Sequence, residues 1–285
     1  MSNTESRPAS ASHYIIGAQL KKLRKEAGVS QIEVEKACKL QRTSLSRYEA
    51  GRSAMTTIAA ERVFEYYGVA PERVNVLLDR VRETRSRSHR TTPDSAPQWF
   101  QSFLLLEQEA SEVAELALTM IPGLLQTEDY ARTVLAGGVV GSDVDEHVAT
   151  RMKRKEALTR HDDPMRFWAV IHEATLLRLV GNKRIMAEQL SQLLEMAKLP
   201  NVSISVIPNA QGAHISMGAN FHWIKFAEAP GPGIIYTEDL AGARYRDDPN
   251  EVHQYEEAFR RLISTALSEI DSVQFIKRVA TTHYE

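Results

Sequence analysis

The residues between Cys38 and Ser53, CKLQRTSLSRYEAGRS, combine long cationic side chains with short hydroxyls, a mixture suited to recognising another molecule. An arginine guanidinium can donate two parallel hydrogen bonds to a guanine base, and a serine or threonine hydroxyl can bond a phosphate or a base edge. A solvated helix more usually carries Glu and Lys. The residue types therefore indicate nucleic-acid recognition, with an ordinary surface helix as the alternative.

Apolar residues at helical spacing define the helix that must position these side chains. Leu45 and Tyr48 lie three residues apart, and we expect them to face the core from a helix that begins near Arg42. The opposite face of that helix then carries the side chains that reach outward. With its flanks and the start of the preceding helix, this face gives the candidate DNA-contacting residues: Gln31, Gln41, Arg42, Thr43, Ser44, Ser46, Arg47 and Arg52.

This segment lies in a string of short helices over about residues 14–79. Gly28 and Gly68 are expected to end helices, Ser30 to cap the helix that follows it, and Pro71 to open the last one. Five short helices without a strand signal predict a compact all-α domain.

The stretch LKKLRKEAGVSQIEVEKACKLQRTSLSRYEAGRS resembles the helix-turn-helix of the phage-repressor (Cro/cI, xenobiotic-response-element) family, over about residues 15–70. The resemblance implies a lambda-repressor-like domain that binds double-stranded DNA. It also implies that Arg24 and Glu49 form a structural pair, which ties helix one to the end of the recognition helix. A partly exposed pair would contribute about 1 kcal/mol or less. Lys39 is a departure, because glycine is common at that position of the turn.

The rest of the chain predicts a C-terminal α+β domain. Strands are predicted at 165–171, 202–208, 221–226 and from 233. Helices are predicted at 98–118, 144–159, 183–198, 250–267 and 269–280. The helix between the first two strands favours their parallel pairing, and the last two strands could form a hairpin. The fold class is therefore mainly α with a small α/β part, in which helices cover a small sheet.

Charge and composition bound the function. Residues 1–90 carry 17 Lys and Arg against 10 Asp and Glu, whereas residues 91–285 carry 18 against 27. A basic front half ahead of an acidic rear half is typical of nucleic-acid binding. One cysteine allows no internal disulfide, which fits a cytoplasmic, nucleoid-associated protein. No apolar run reaches the roughly 18 residues of a membrane helix, so no membrane partner is predicted.

Composition also predicts the domain division. We interpret residues 1–13 as a disordered leader, 14–79 as the helix-turn-helix domain, 80–97 as a basic linker and 98–285 as a domain for dimerisation and sensing. MIPGLLQTEDYAR, LPNVSISVIP and QGAHISMGANFHWIKF resemble the uncharacterised domain behind the helix-turn-helix of many actinobacterial regulators. That resemblance implies a developmental or antibiotic-related regulator, often encoded beside a small acidic partner protein.

Residues for catalysis or metal binding are few. HEATL, from His172 to Leu176, begins like the zinc-protease motif H-E-x-x-H, but Leu176 stands where the second histidine must be. HDD at 161–163 lies in a predicted loop, and His214 could line a small-molecule pocket or simply pack. The histidines and Cys38 have no metal-ligand spacing, so no cofactor is predicted.

Three functions remain open from the sequence. The first is a DNA-binding transcriptional regulator that acts as a homodimer on an inverted repeat and responds to an unknown small-molecule effector. The second is an antitoxin-like interaction protein whose main act is to bind a small partner polypeptide. The third, an enzyme fused to a DNA reader, needs a convergent set of catalytic residues that the sequence does not show. A non-enzymatic regulator is predicted.

Overall fold

The computed structural model describes residues 11–70, 74, 77–78, 81, 98–138, 144–227, 231–239 and 242–284. Contacts divide the chain into two compact units. The described residues of Met1–Thr92, Gln98–Glu109 and Phe226–Gly233 form the first unit, and those of Ala110–Lys225 and Ile234–Glu285 belong to the second. The predicted fold class, mainly α with a small α/β part, is confirmed.

Helices make up the first unit: α1 (Ala11–Glu26), α2 (Gln31–Ala37), α3 (Ser44–Glu49), α4 (Thr57–Tyr66) and α5 (Gln98–Glu109). The predicted cap of α2 is present, since the Ser30 hydroxyl accepts the Glu33 N–H and the Glu33 carboxylate accepts the Ser30 N–H. The Thr56 hydroxyl caps α4 more simply, by accepting the Ala59 N–H. Three residues of the predicted fifth helix are described, and all are helical: Val74, Leu77 and Leu78. Val81, beyond the predicted end of that helix, is helical as well.

Apolar side chains at helical spacing form one core in the first unit. Leu20, Val34, Leu45, Ala60 and Val63 are fully buried there. Helix α5 packs against α1, although the sequence-based division assigns residues 98–109 to the C-terminal domain. The leader and the basic linker fall almost entirely outside the described residues, so the domain boundaries stay a prediction.

The predicted helix over 98–118 is wrong in its second half. Helix α5 ends at Glu109, and residues Glu112–Ala117 form the strand β1. All of β1 except its first residue is buried, on both faces of the strand, and β1 also has a neighbouring strand on each edge. A strand that is buried on both faces shows no alternation of apolar and polar residues, so its spacing can imitate that of a helix.

The second unit contains a six-stranded mixed sheet of order β3-β2-β1-β4-β5-β6. The strands after β1 are β2 (Arg166–His172), β3 (Val202–Ile207), β4 (Phe221–Lys225), β5 (Ile234–Asp239) and β6 (Gly242–Arg246). The helices are α6 (Glu128–Gly138), α7 (Val144–Arg154), α8 (Glu156–Thr159), α9 (Glu173–Leu177), α10 (Lys183–Met196), α11 (Pro249–Thr265) and α12 (Glu269–His283).

Strand pairing follows the prediction where strands were predicted. Strands β2 and β3 are parallel, and β4 and β5 form the antiparallel hairpin. Strand β6, which was not predicted, pairs with β5. Helix α11 covers one face of the sheet, with Val252, Phe259 and Leu262 in the same core cluster as Leu116 and Ile235. Among the described residues, no helix has both the length and the apolar composition that crossing a membrane requires.

Candidate nucleic-acid interface

A tight turn, residues 38–43, joins α2 to α3. A hydrogen bond closes this turn: the Leu40 N–H donates to the Glu35 carbonyl at 2.8 Å. Lys39 adopts φ +54°, the left-handed conformation that glycine accepts without steric cost. The departure noted in the sequence therefore leaves the turn intact, with lysine in a conformation that side chains disfavour.

Helix α3 begins at Ser44, later than the predicted start near Arg42. Its N-cap residue, Thr43, has φ +65°, and the Thr43 side chain makes no capping hydrogen bond. The carboxylate of Glu35 caps the helix instead. Glu35 Oε2 accepts the Thr43 N–H at 3.1 Å, and Glu35 Oε1 accepts the Leu45 N–H at 2.9 Å.

The sequence analysis missed Glu35. The sequence feature that could have revealed it is the position of a carboxylate on the core-facing side of α2, next to Val34 and three residues before Cys38. Both apolar neighbours are buried, and Glu35 itself is 8% exposed. A charged residue on the buried face of a helix indicates partners in the interior.

The candidate contact residues differ in exposure. Gln41, Arg42, Thr43, Arg47 and Arg52 are exposed, and Gln31 and Ser46 are half-buried. Ser44 is only 4% exposed. Its side chain is thus buried at the first turn of α3 and offers little surface to DNA, which argues against the predicted contact at Ser44.

A buried network holds α3 against α1 and α2. Arg24 Nε donates to Glu49 Oε1 at 2.6 Å, and Arg24 Nη2 donates to Glu49 Oε2 at 3.0 Å. Gln31 Nε2 donates to Glu49 Oε2 at 2.7 Å. The Glu49 side chain is 3% exposed and that of Arg24 15%. Hydrogen bonding to Glu49 raises the pKa of Arg24, so the guanidinium stays charged.

Gly17 is a second residue that sequence reasoning missed. A Cβ at this position would lie 2.3 Å from the Tyr48 carbonyl oxygen and 2.8 Å from that of Glu49. Only glycine therefore allows α1 to lie directly against the end of α3. The sequence feature that could have revealed Gly17 is a lone glycine inside a helical apolar pattern, which often marks close packing.

Two protein families match the chain. A helix-turn-helix domain matches residues 15–77, which include the network and turn described above. A domain of unknown function, DUF5753, matches residues 100–278, more than half of the chain. The chain belongs to the DUF5753 family. No curated protein and no solved structure matches it.

The helix-turn-helix match adds a second domain to this DUF5753 member. A helix-turn-helix domain ahead of the DUF5753 domain fits a regulator of the xenobiotic-response-element type. Together with the exposed arginines of the α2–α3 segment, the match supports a DNA-binding regulator.

Two histidines that the sequence analysis noted lie together in the DUF5753 domain. The ring centroids of His172 and His214 are 5.5 Å apart. His172 Nδ1 accepts the Ala174 N–H at 3.2 Å and so caps α9. Burial, and the nearby His214, lower the pKa of His172. His161, of the HDD stretch, has a side chain that is 99% exposed.

Another polar pair lies inside the sheet. His222 Nε2 on β4 is 3.2 Å from Glu115 Oε2 on β1, and both side chains are largely buried. The His222 ring also packs edge-on against Tyr236 of β5. Within the described ranges, no cluster of three or more His, Cys, Asp or Glu side chains could hold a metal ion.

Proposed function

We propose that this protein is a sequence-specific transcriptional regulator of the Cro/cI-like, actinobacterial type, without catalytic activity. It acts in the cytoplasm as a homodimer on an inverted-repeat operator. Residues 14–79 bind DNA, and residues 98–285 dimerise and bind the signal or partner. The observation that carries the proposal is the contrast at α3 between exposed arginines and a buried network that holds the helix.

The exposed side chains are of types that bind DNA, and they are not already paired within the part of the protein that the structure describes. Among the described residues, Arg42, Arg47 and Arg52 form no ion pair with a carboxylate. An arginine that is not already paired can hold guanine bidentately or neutralise a phosphate. Gln41 and Thr43 flank these arginines and add an amide and a hydroxyl for base or phosphate contacts.

The buried network makes the position of α3 rigid. The Glu49 carboxylate receives hydrogen bonds from α1 and α2, so α3 is held from two sides. A recognition helix that must present side chains to base edges in register requires this kind of support. Gln31 thus supports α3 from the first helix of the motif, where it can also reach the DNA backbone.

Genome-wide immunoprecipitation of the tagged protein, followed by titration onto the enriched sequences, tests the proposal. We expect enrichment at a small set of sites that share an inverted repeat, and binding of the purified protein to that repeat in the absence of any partner. Binding without preference over unrelated DNA, or only with a partner polypeptide, would overturn it.

A further inference from the structure

Glu35 bonds to both ends of the turn between α2 and α3. Its backbone carbonyl accepts the Leu40 N–H at 2.8 Å. Its carboxylate accepts the Thr43 N–H at 3.1 Å and the Leu45 N–H at 2.9 Å. A single residue therefore makes three hydrogen bonds to the backbone on either side of Gln41 and Arg42.

Apart from Glu35, the backbone of residues 41–43 bonds only to α3 among the described residues. The Thr43 carbonyl accepts the Ser46 hydroxyl at 3.1 Å and the Arg47 N–H at 3.4 Å. Thr43 is in the left-handed conformation and has no side-chain cap, and the following helix is only six residues long. The Ser44 N–H donates to the Gln41 carbonyl at 3.0 Å, which closes one turn. Without the carboxylate, the Thr43 and Leu45 amides would lose their acceptor at a helix start, where no intrahelical partner exists.

The charge of Glu35 is balanced by these amides. Glu35 is 8% exposed, and none of the ion pairs of the described residues includes it. A buried carboxylate is costly unless it is hydrogen-bonded, and the N-terminus of a helix carries the partial positive charge that favours an anion.

We infer that Glu35 is a positioning residue for DNA recognition, which fixes the backbone of residues 41–43 and so sets sequence specificity without touching DNA. The inference rests on the proposed DNA-binding function. Non-specific affinity depends mainly on the number of charges near phosphates, whereas base readout depends on a fixed geometry. Loosening the turn should therefore weaken operator binding much more than binding to unrelated DNA.

Glu35→Gln in the full-length protein is the main test. Glutamine keeps the side-chain volume but offers one carbonyl oxygen to two amides. Glu33→Gln is the matched control, because it removes the same charge from the same helix. Glu33 is exposed and bonds the Ser30 N–H at 2.7 Å, away from the turn. Glu35→Ala removes both acceptors and is the second variant.

Two readouts separate positioning from simple stability, both measured below the melting temperature of each variant. The first is the ratio of Kd for the mapped operator to Kd for unrelated DNA. The second is hydrogen–deuterium exchange at the Thr43 and Leu45 amides. For Glu35→Gln we expect operator binding about tenfold weaker, unrelated DNA bound within about twofold of wild type, and faster exchange at both amides. Glu33→Gln should match wild type in both.

Each outcome decides a separate point. If Glu35→Gln and Glu35→Ala both keep the wild-type preference for the operator, the inference is overturned. It is also overturned if affinity falls equally for the operator and for unrelated DNA, because Glu35 would then contribute only to stability. If Glu35→Ala does not fold, Glu35→Gln decides. If wild type itself prefers no sequence, the proposed function fails, and amide exchange still shows whether Glu35 holds the turn.

Discussion

At α3, neighbouring side chains have separate tasks. Arg47 is exposed on the outer side of the helix, whereas Leu45 is fully buried and Glu49 is held by hydrogen bonds from Arg24 and Gln31. Under the proposed function, the exposed residues contact DNA and contribute little to folding, whereas the residues that hold the helix contribute little direct contact. Substitutions at the two kinds of position should therefore change different measurable quantities.

Arg47→Ala should weaken operator binding and leave thermal stability nearly unchanged. Loss of a bidentate contact to a base costs about 1–3 kcal/mol of binding free energy. Arg62→Ala is the control, because Arg62 is an exposed arginine on α4. Fluorescence titration onto the operator and thermal melting measure the two quantities. Operator affinity equal to that of wild type would remove Arg47 from the contact surface.

Glu49→Ala should destabilise the first unit by about 2 kcal/mol, because it leaves the half-buried Arg24 guanidinium and the Gln31 amide without their acceptor. This exceeds the value of about 1 kcal/mol or less expected from sequence for a partly exposed pair. Glu26→Ala is the control, since the Lys22–Glu26 pair is exposed and 3.9 Å apart. Urea unfolding followed by circular dichroism measures both. If Glu49→Ala and Glu26→Ala both lower the free energy of unfolding by the same small amount, burial of Glu49 adds nothing to the stability that its ion pair provides.

The exposed and buried sides of α3 were predictable in outline at the residue scale. The spacing of Leu45 and Tyr48 set the outward face, and the family resemblance implied the Arg24–Glu49 pair that the structure forms. Glu35 was not predictable in the same way. Its partners, Thr43 and Leu45, lie eight and ten residues further along the chain, and no helical repeat joins them across a turn.

At the scale of elements, local signals and tertiary contacts decide different parts of the fold. Helix α2 was predictable because the residues of its cap, Ser30 and Glu33, lie only three positions apart in the sequence. Strand β1 was not, because it is defined by pairing with β2, about 50 residues away, and with β4, more than 100 away. Its residues Val113 and Ala117 also fit a helical repeat.

Gly17→Ala should destabilise the first unit and weaken operator binding together. The new methyl group would meet the Tyr48 carbonyl at 2.3 Å, so α1 and α3 must separate. Overpacking of this kind costs about 1–3 kcal/mol. Gly137→Ala is the control, because no atom lies within 4 Å of an added Cβ there. Thermal melting and operator titration measure the effects. Unchanged melting in Gly17→Ala would contradict the close approach of these helices.

The cap of α9 should make stability depend on pH. Burial lowers the pKa of His172 below its ordinary value of about 6.5, so the unfolded chain binds a proton more readily than the folded one. Stability is then lost as the pH falls from about 6.5 through the lower folded pKa. A protonated ring also cannot accept the Ala174 N–H.

His172→Asn should lessen this pH dependence, because asparagine caps helices without titrating. Melting temperatures at pH 7 and pH 5 give the comparison. His161→Asn is the control, since that side chain is 99% exposed. An identical fall in melting temperature for wild type and His172→Asn would show that the capping histidine does not titrate in this range.

At the scale of the whole molecule, charge divides the chain. Residues 1–90 carry a net charge of +7, from 17 Lys and Arg against 10 Asp and Glu, and residues 91–285 carry −9, from 18 against 27. DNA attracts the first part and repels the second. The helix-turn-helix match falls in the basic part and the DUF5753 match in the acidic part. DNA contact is therefore expected from one end of the chain only.

The last prediction is a homodimer held mainly through residues 98–285. A single short helix reads only a few base pairs, so one first unit should discriminate poorly between sequences. Helix-turn-helix proteins gain affinity and specificity when a twofold dimer places two recognition helices roughly 34 Å apart, one turn of DNA. That geometry requires an inverted-repeat operator.

A fragment of residues 1–109 tests this architecture against the full-length protein. A shorter fragment would be a poor comparison, because Val81 is 1% exposed in the core of the first unit and α5 packs against α1. By light scattering, we expect a dimer for the full chain and a monomer for the fragment. In operator titrations the fragment should bind much more weakly, and Arg47→Ala should weaken both proteins. A monomeric fragment that binds as tightly as the full chain, or a full chain that remains monomeric on DNA, would show that dimerisation through the acidic domain is not what gives this protein its operator affinity.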